Sequence, residues 1–282
     1  MNPQLLKECG SNPSSCSRPE FVAGLIASTL LSQGVQAAPK NKLWIGYSVV
    51  NYWHLIDPSK LGALLAQAGC TFTEIEYVPW FNEAAKEGKS IETNIKKASK
   101  FIAGMRKHGI TTFISLVNWN GESQRQQDDR WFQARVKEIQ DDIGIDRVML
   151  LGVSEPDGQH DGKAYRWSEF VLQTWKGLKV GNGDGGRGEP RHRGYDLVDW
   201  HHCEDFNDAK VRDSVAGLPV INSTDCRPVL NPGPDRTRKM AKVALNKGTH
   251  FNVYDWDGGT IDEKVIQVLG EEIKAASVKS SI

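Results

Sequence analysis

From residue 43 onward the chain alternates short apolar runs with longer segments whose apolar residues recur every three or four positions. The short runs predict buried strands, and the spaced segments predict helices that pack one face on a core. Eight strands are predicted in this way, over residues 43–50, 70–78, 110–117, 147–153, 178–180, 195–201, 218–223 and 250–256.

Helices are predicted after every strand except the fifth. The helix after the sixth strand rests on Val211 and Val215 alone, whereas the last helix has an apolar face that extends from Ile261 to Ile273. The stretch after the fifth strand is rich in glycine and predicts no helix. Eight alternating units over this length predict an α/β fold, the (β/α)8 or TIM barrel, with an incomplete fifth β/α unit.

A doubly wound open sheet is the alternative architecture for alternating strands and helices. That fold usually carries a glycine-rich phosphate-binding turn after its first strand. Here the same place reads Val-Val-Asn-Tyr-Trp-His-Leu, from Val49 to Leu55. The barrel, over residues 41–282, is therefore the predicted fold.

The first forty residues differ from the rest and are predicted to lie outside the barrel. Residues 21–31 form a short apolar run, and residues 35–38 resemble a small-residue cleavage site. This outline fits a secretory signal, which would place the protein outside the cell or in the periplasm. The usual positive charge before the apolar run is missing, so a disordered or loosely docked segment on a cytoplasmic protein fits equally.

Charge and cysteine content narrow the classes of partner. Thirty-five basic residues balance thirty-five acidic ones, so no net field attracts nucleic acid or an anionic membrane surface. The five cysteines include no C-x-x-C pair, the spacing typical of zinc and redox sites. Cys203 and Cys226, at the predicted ends of strands six and seven, are expected to lie within disulfide reach if the protein is exported.

Candidate chemistry is concentrated where the predicted strands end, since the C-terminal face of a (β/α)8 barrel holds the active site. Carboxylates, amides and aromatic rings occupy these places, with few cations. This set suits a neutral, polyhydroxylated substrate better than a phosphate. The residues are Tyr47, Asn51, Glu76, Asn118, Trp119, Asn120, Glu155, Asp199, His201, His202, Asn222, Thr224, Asp225, Tyr254, Asp255 and Trp256.

The fourth strand ends in Ser154-Glu155-Pro156, which resembles the Asn-Glu-Pro ending of strand four in retaining glycoside hydrolases built on (β/α)8 barrels. His201 near the end of strand six and Trp256 at the end of strand eight are similar to residues of that superfamily. The start of strand seven, Leu218-Pro219-Val220-Ile221, is similar too. The resemblance implies a carbohydrate substrate, no cofactor, and Glu155 as general acid/base.

Two positions depart from the superfamily pattern. Ser154 stands where the family has Asn, and Thr224 stands five residues after Pro219, where the family has its nucleophilic Glu. Asp225 is one position late, and a one-residue shift turns a side chain to the opposite face of a strand unless a bulge corrects it. Glu76 and Asp199 stay open as alternatives to Asp225 for the second catalytic carboxylate.

The sequence thus predicts a glycoside hydrolase with Glu155 and Asp225 as catalytic carboxylates and no nucleic-acid or membrane partner. Two other classes stay open. One is a catalytically silent barrel that binds carbohydrate or a protein. The other is a metal-dependent hydrolase, suggested by the run His-His-Cys-Glu-Asp-Phe at residues 201–206 together with Asp225 and Cys226. The predicted substrate-binding residues are Glu76, Asn118, Trp119, Asp199, His201, Tyr254 and Trp256.

Overall fold

A computed structural model describes the protein over residues 43–77, 92–118, 127–154, 162–182, 194–200, 212–226, 233–255 and 259–279, and the side chains of residues 92–94, 224–226 and 279 are not included. All of these residues belong to one compact unit. The proposed leader in residues 1–40 lies outside the described residues, so its role stays a prediction. No described helix is long and apolar enough to cross a membrane.

Eight parallel strands close into a barrel, which confirms the predicted fold. The barrel strands are β1 (Ile45–Val49), β2 (Phe72–Glu76), β3 (Thr111–Asn118), β4 (Val148–Ser154), β5 (Leu178–Asn182), β6 (Leu197–Trp200), β8 (Leu218–Cys226) and β9 (His250–Asp255), and the short β7 between β6 and β8 is described below. Strands β1 to β6 follow one another in the sheet, β6 pairs with β8, and β8 pairs with β9, which returns to β1.

Helices follow the strands, as the apolar spacing predicted. The N-terminus of the first is set by Asp57, whose carboxylate accepts from the backbone N–H groups of Ser59 and Lys60, and by Pro58 in the first helical position. The helices are α1 (Pro58–Ala68), α2 (Glu92–Lys107), α3 (Asp129–Glu138) with a π-helical turn (Ile139–Ile143), α4 (Gly162–Thr174), α5 (Gly233–Lys247) and α6 (Glu263–Lys279). A 3₁₀ turn, Trp53–Leu55, precedes α1.

The unit after the sixth strand differs from the prediction. The prediction of a helix marked by Val211 and Val215 is wrong at Val215, because Ser214–Val215 forms a short strand, β7, antiparallel to the start of β8. The turn between them has positive φ at both central residues, Ala216 (51°) and Gly217 (78°), as type I′ hairpin turns require. The predicted defect of the fifth unit concerns residues 183–193, outside the described part of the chain.

Two cores are separated by the sheet. The larger packs the outer faces of the strands against the helices. The smaller fills the inside of the barrel near the N-terminal ends of the strands, and we call it the apolar floor: Trp44, Phe72, Phe113, Met149, Leu151, Val180, Leu197 and Ile221. At Gly46 a Cβ atom would lie 2.6 Å from the Phe72 ring, so glycine lets this ring occupy the floor.

Candidate functional site

The inner face of the barrel changes from apolar to polar toward the C-terminal ends of the strands. On β2, β6 and β8 the change occurs within two residues, from Phe72 to Glu74, from Leu197 to Asp199 and from Ile221 to Ser223. Alternation along a strand keeps residues two apart on one face. We call the resulting set the polar layer: Ser48, Glu74, Asp199, Ser223 and Asn252, all at most 1% exposed.

Hydrogen bonds connect the polar layer across five strands. The Ser48 hydroxyl donates to Asn252 Oδ1 over 2.9 Å, and Asn252 Nδ2 donates to Glu74 Oε2 over 2.9 Å. Asn252 Nδ2 also donates to Ser223 Oγ over 3.3 Å, and the Ser223 hydroxyl donates to Asp199 Oδ1 over 2.6 Å. Since carboxylates and hydroxyls are costly to bury without partners, this network accounts for how the barrel tolerates them.

Above the polar layer, the rim of the barrel carries Glu76 and Asn118. The Asn118 amide donates to Glu76 Oε1 over 2.8 Å, and both residues are 1% exposed. Asn118 reaches the inside because Leu116 and Val117 both pack in the outer core, which breaks the alternation of β3. Two predicted substrate-binding residues are thereby brought together.

Strand β4 has the same irregularity beside that of β3. A Cβ on Gly152 would lie 2.9 Å from Val171 of α4, and Val153 packs in the outer core, so two successive residues face outward. Ser154 is the register partner of Asn118 and therefore shares its inward face. Its hydroxyl is buried and has no hydrogen-bond partner among the described residues. Ser154 is the last described residue before Glu155.

Strand β8 runs to its end without a bulge. Its pairing with β9 is continuous from Ile221 opposite His250 to Cys226 opposite Asp255, so Asp225 stands opposite Tyr254. Tyr254 follows Asn252 by two residues on β9 and is 4% exposed, which places this predicted binding residue on the inner face at the rim.

Tyr47 and Asp255 do not line the mouth, contrary to the expectation for residues at strand ends. Both belong to the outer face, where Tyr47 and Tyr52 donate hydrogen bonds to Asp255 Oδ2 over 2.6 and 2.7 Å. The Tyr47 hydroxyl also accepts from the backbone N–H of Asp262, just before α6. The cluster ties β1, β9 and the start of α6 together, so its role is structural.

Because of this cluster, we expect the free energy of unfolding to fall at alkaline pH. Burial raises the pKa of Tyr47 and Tyr52 well above 10, and the charge of Asp255 raises the pKa of both further. Above pH 10 the unfolded chain ionises these phenols while the folded chain does not, so their contribution is intact below pH 10 and declines above it. Tyr52→Phe should flatten the decline by about 1.4 kcal/mol per pH unit above about pH 11, where the unfolded phenol is almost fully ionised, measured by urea unfolding between pH 9 and 11.5. Equal slopes in both proteins would contradict the assignment.

The remaining predicted residues cannot be placed. Glu155, Trp119, His201 and Trp256 lie outside the described residues, as do the side chain of Asp225 and the predicted Cys203–Cys226 pair. Asp199 lies within the polar layer. Within the described ranges, no group of three His, Cys, Asp or Glu side chains is arranged to hold a metal ion.

Four members of the polar layer were missed by reasoning from strand ends: Ser48, Glu74, Ser223 and Asn252. Each is a polar residue in the interior of a strand, and two of them, Ser48 and Asn252, stand between apolar neighbours. The signal was present in the alternation Phe72-Thr73-Glu74-Ile75-Glu76, where two acidic residues share one face of a buried strand. A polar residue in the interior of a buried strand is therefore as good an indicator of a position that lines the inside of the barrel as a polar residue at the tip of the strand.

Comparison with known proteins gives a likeness at the level of the fold. No family model matches the chain, and no curated protein matches it in sequence. Solved structures do match. They include an endo-β-1,4-mannanase from Thermotoga petrophila, with 14% identity, TM-score 0.58, and coverage of 86% of this chain and 78% of that one.

Two further neighbours belong to glycoside hydrolase families 30 and 5. A family 30 endoxylanase from Clostridium papyrosolvens has 13% identity and TM-score 0.58, over 85% of this chain and 74% of that one. A family 5 enzyme from Prevotella bryantii, solved with a xyloglucan tetradecasaccharide, has 10% identity and TM-score 0.54, over 82% and 96%. The chain therefore shares its barrel with glycoside hydrolases that are very distant in sequence.

Proposed function

We propose that this protein is a glycoside hydrolase that cleaves a polysaccharide or oligosaccharide by two-carboxylate catalysis, with retention of configuration. The observation that carries the proposal is the polar inner face at the C-terminal end of the barrel. Barrel interiors are otherwise filled by branched apolar residues. Buried carboxylates, hydroxyls and amides above an apolar floor are costly to keep, and they surround the place where such barrels carry out catalysis.

In this proposal Glu155 is the general acid/base. It directly follows Ser154, which ends β4 on the inner face beside Asn118. The covalent bond to Ser154 keeps the Glu155 Cα within about 3.8 Å of the Ser154 Cα. A Glu155 carboxyl at the mouth requires the chain to leave the alternation of β4 after Ser154, and it would then lie near the Ser154 hydroxyl and the Glu76–Asn118 pair.

Asp225 is the proposed nucleophile. The unbroken register of β8 gives position 225 the same parity as Ile221 and Ser223, whose side chains face the inside of the barrel. The same register gives Thr224 the opposite parity. The carboxylate that stands one position late in sequence thus has the parity that the chemistry needs, without a bulge.

The reaction follows in two steps that need no cofactor. The Glu155 carboxyl donates its proton to the glycosidic oxygen while the Asp225 carboxylate attacks the anomeric carbon, so the leaving sugar departs as an alcohol and a glycosyl ester forms. Water then attacks the anomeric carbon, the Glu155 carboxylate takes its proton, and Asp225 is released. Retention in this way requires the two carboxyl groups to lie about 5 Å apart.

The rim supplies the proposed binding contacts. Glu76 and Asn118 offer a carboxylate and an amide to sugar hydroxyls. Tyr254, together with Trp119 and Trp256, offers aromatic faces on which the apolar side of a sugar ring can stack. His201 is proposed to lie near the same bond. Asp199 bonds to Ser223 within the fully buried polar layer, which makes Asp225 a better nucleophile candidate than Asp199.

The test is hydrolysis of β-mannan, xylan and xyloglucan, followed by release of reducing ends and by NMR of the first anomer formed. These polysaccharides are chosen because enzymes that act on or bind them share the fold. We expect cleavage of at least one neutral polysaccharide, with the product in the configuration of the substrate. An inverted product would remove Asp225 as nucleophile and favour a base such as Glu76.

A non-catalytic carbohydrate-binding barrel is the second candidate function. Thr224 favours it, because it stands five residues after Pro219, where the resembling enzymes have their nucleophile. The two candidates differ in one measurement. Retardation of the protein in gels that contain a polysaccharide, with no release of reducing ends, would support the binding barrel and refute the hydrolase.

A further inference from the structure

We infer that Ser223 is a positioning residue that fixes the end of β8, and with it Asp225, relative to strands β6 and β9. The inference rests on the proposed function, because it concerns the strand that carries the proposed nucleophile. Its basis is a pair of hydrogen bonds that join the Ser223 side chain to both flanking strands, seen entirely in described residues.

Strand β8 is paired with both of its barrel neighbours. Its last described pair with β6 joins Trp200 to Asn222, and its pairing with β9 continues to Cys226.

The Ser223 side chain provides a direct connection between β8 and its neighbours. Its hydroxyl donates to Asp199 Oδ1 of β6 over 2.6 Å and accepts from Asn252 Nδ2 of β9 over 3.3 Å. One side chain thus links β8 to both flanking strands. Asn252 is itself fixed, because its Oδ1 accepts from Ser48 and its Nδ2 also donates to Glu74.

Position 225 is two residues further along the same strand and has the same parity as Ser223. A displacement of about 1 Å at a reacting group can lower a rate about 100-fold. Loss of the Ser223 hydroxyl should therefore lower kcat by letting the carboxylate of Asp225 leave its reactive position. KM should change little, because the Glu76–Asn118 pair is on the other side of the barrel.

Thr71 is a control outside this network. Its hydroxyl is also buried, accepts from the backbone N–H of Ile45 over 2.9 Å and donates to the backbone carbonyl of Ile45 over 3.3 Å. Thr71 directly precedes β2, at the N-terminal end of that strand. Thr71→Val and Ser223→Ala each remove one buried hydroxyl and should lose comparable thermal stability, so a difference in kcat between them reports on position 225.

The experiment measures kcat, KM and the pH profile of kcat/KM for the wild type, Ser223→Ala and Thr71→Val on a cleaved polysaccharide. We expect Ser223→Ala to lower kcat by roughly 10–100-fold, to leave KM within about twofold, and to shift the acidic limb of the profile. Thr71→Val should retain most of the wild-type kcat. Equal losses in both variants, or a wild-type kcat in Ser223→Ala, would overturn the inference.

The partner on β6 gives a second route if Ser223→Ala does not fold. Asp199→Asn keeps an oxygen that can accept from Ser223, whereas Asp199→Ala removes it, so kcat should be higher in the Asn variant. A wild-type kcat in Asp199→Ala would overturn the inference. Absence of cleavage by the wild type would instead refute the proposed hydrolase, and with it the basis of this assignment.

Discussion

Replacing Glu155 by Gln is expected to lower turnover of a polysaccharide that the wild type cleaves by roughly 10²–10⁴-fold, the usual contribution of general acid catalysis. Gln keeps the shape of the side chain and removes the proton that the glycosidic oxygen needs. The initial rate of reducing-end release is the measurement. Asp157→Asn, two residues later in sequence, is a suitable control because it also neutralises one carboxylate next to Pro156.

The leaving group separates acid catalysis from binding. An aryl glycoside with a very good leaving group needs little protonation, so the bond-breaking step in Glu155→Gln should be much less affected than with the polysaccharide. Near-normal turnover of the polysaccharide would mean that Glu155 is not the acid. The same loss on both substrates would indicate that Glu155 acts in substrate binding or in stability.

Asp225→Asn is expected to have the larger effect, a loss of kcat on the order of 10⁴-fold or more, as when other enzymes lose their covalent nucleophile. Asn cannot form the glycosyl ester, and binding contacts alone then accelerate the reaction. The measurement is single-turnover hydrolysis on the substrate used for Glu155→Gln. Thr224→Val is the natural control, since it changes the neighbouring residue of opposite parity and should keep turnover within a fewfold of the wild type.

Mass spectrometry gives a direct check of the same assignment. A 2-fluoro glycoside with a good leaving group slows the second step more than the first, so a covalent adduct should accumulate on Asp225 in the wild type and be absent from Asp225→Asn. An adduct on Glu76 would transfer the role of nucleophile to β2. If Thr224→Val loses activity as fully as Asp225→Asn, the parity argument for β8 is wrong.

The alternation of strands and helices was readable from sequence because each barrel strand is an apolar run and the described helices have an apolar face. Strand ends were less accurate: β8 continues to Cys226, three residues beyond its last predicted residue, and β4 includes Ser154. The end of a strand depends on pairing with distant segments, as in the register of β8 with β9. No local pattern contains that information.

The direction of side chains at strand ends was harder to predict than the strands. Tyr47 and Asp255 are polar groups near strand ends, yet they face outward and bond to each other. Asn118 faces inward only because alternation fails at Leu116 and Val117. Such irregularities arise from packing between neighbouring strands and the helices outside them, so a count of residues along one strand cannot locate them.

The apolar floor determines how a polymer can approach this protein. Trp44, Phe72 and Phe113 pack together inside the barrel, where Phe72 and Phe113 have their ring centroids 6.5 Å apart. Among the described residues, the barrel is thus filled at the N-terminal ends of its strands and leaves no axial passage for a sugar chain. Under the proposed function, a long polysaccharide would have to cross the C-terminal end of the barrel, and both fragments would have to leave through that same end.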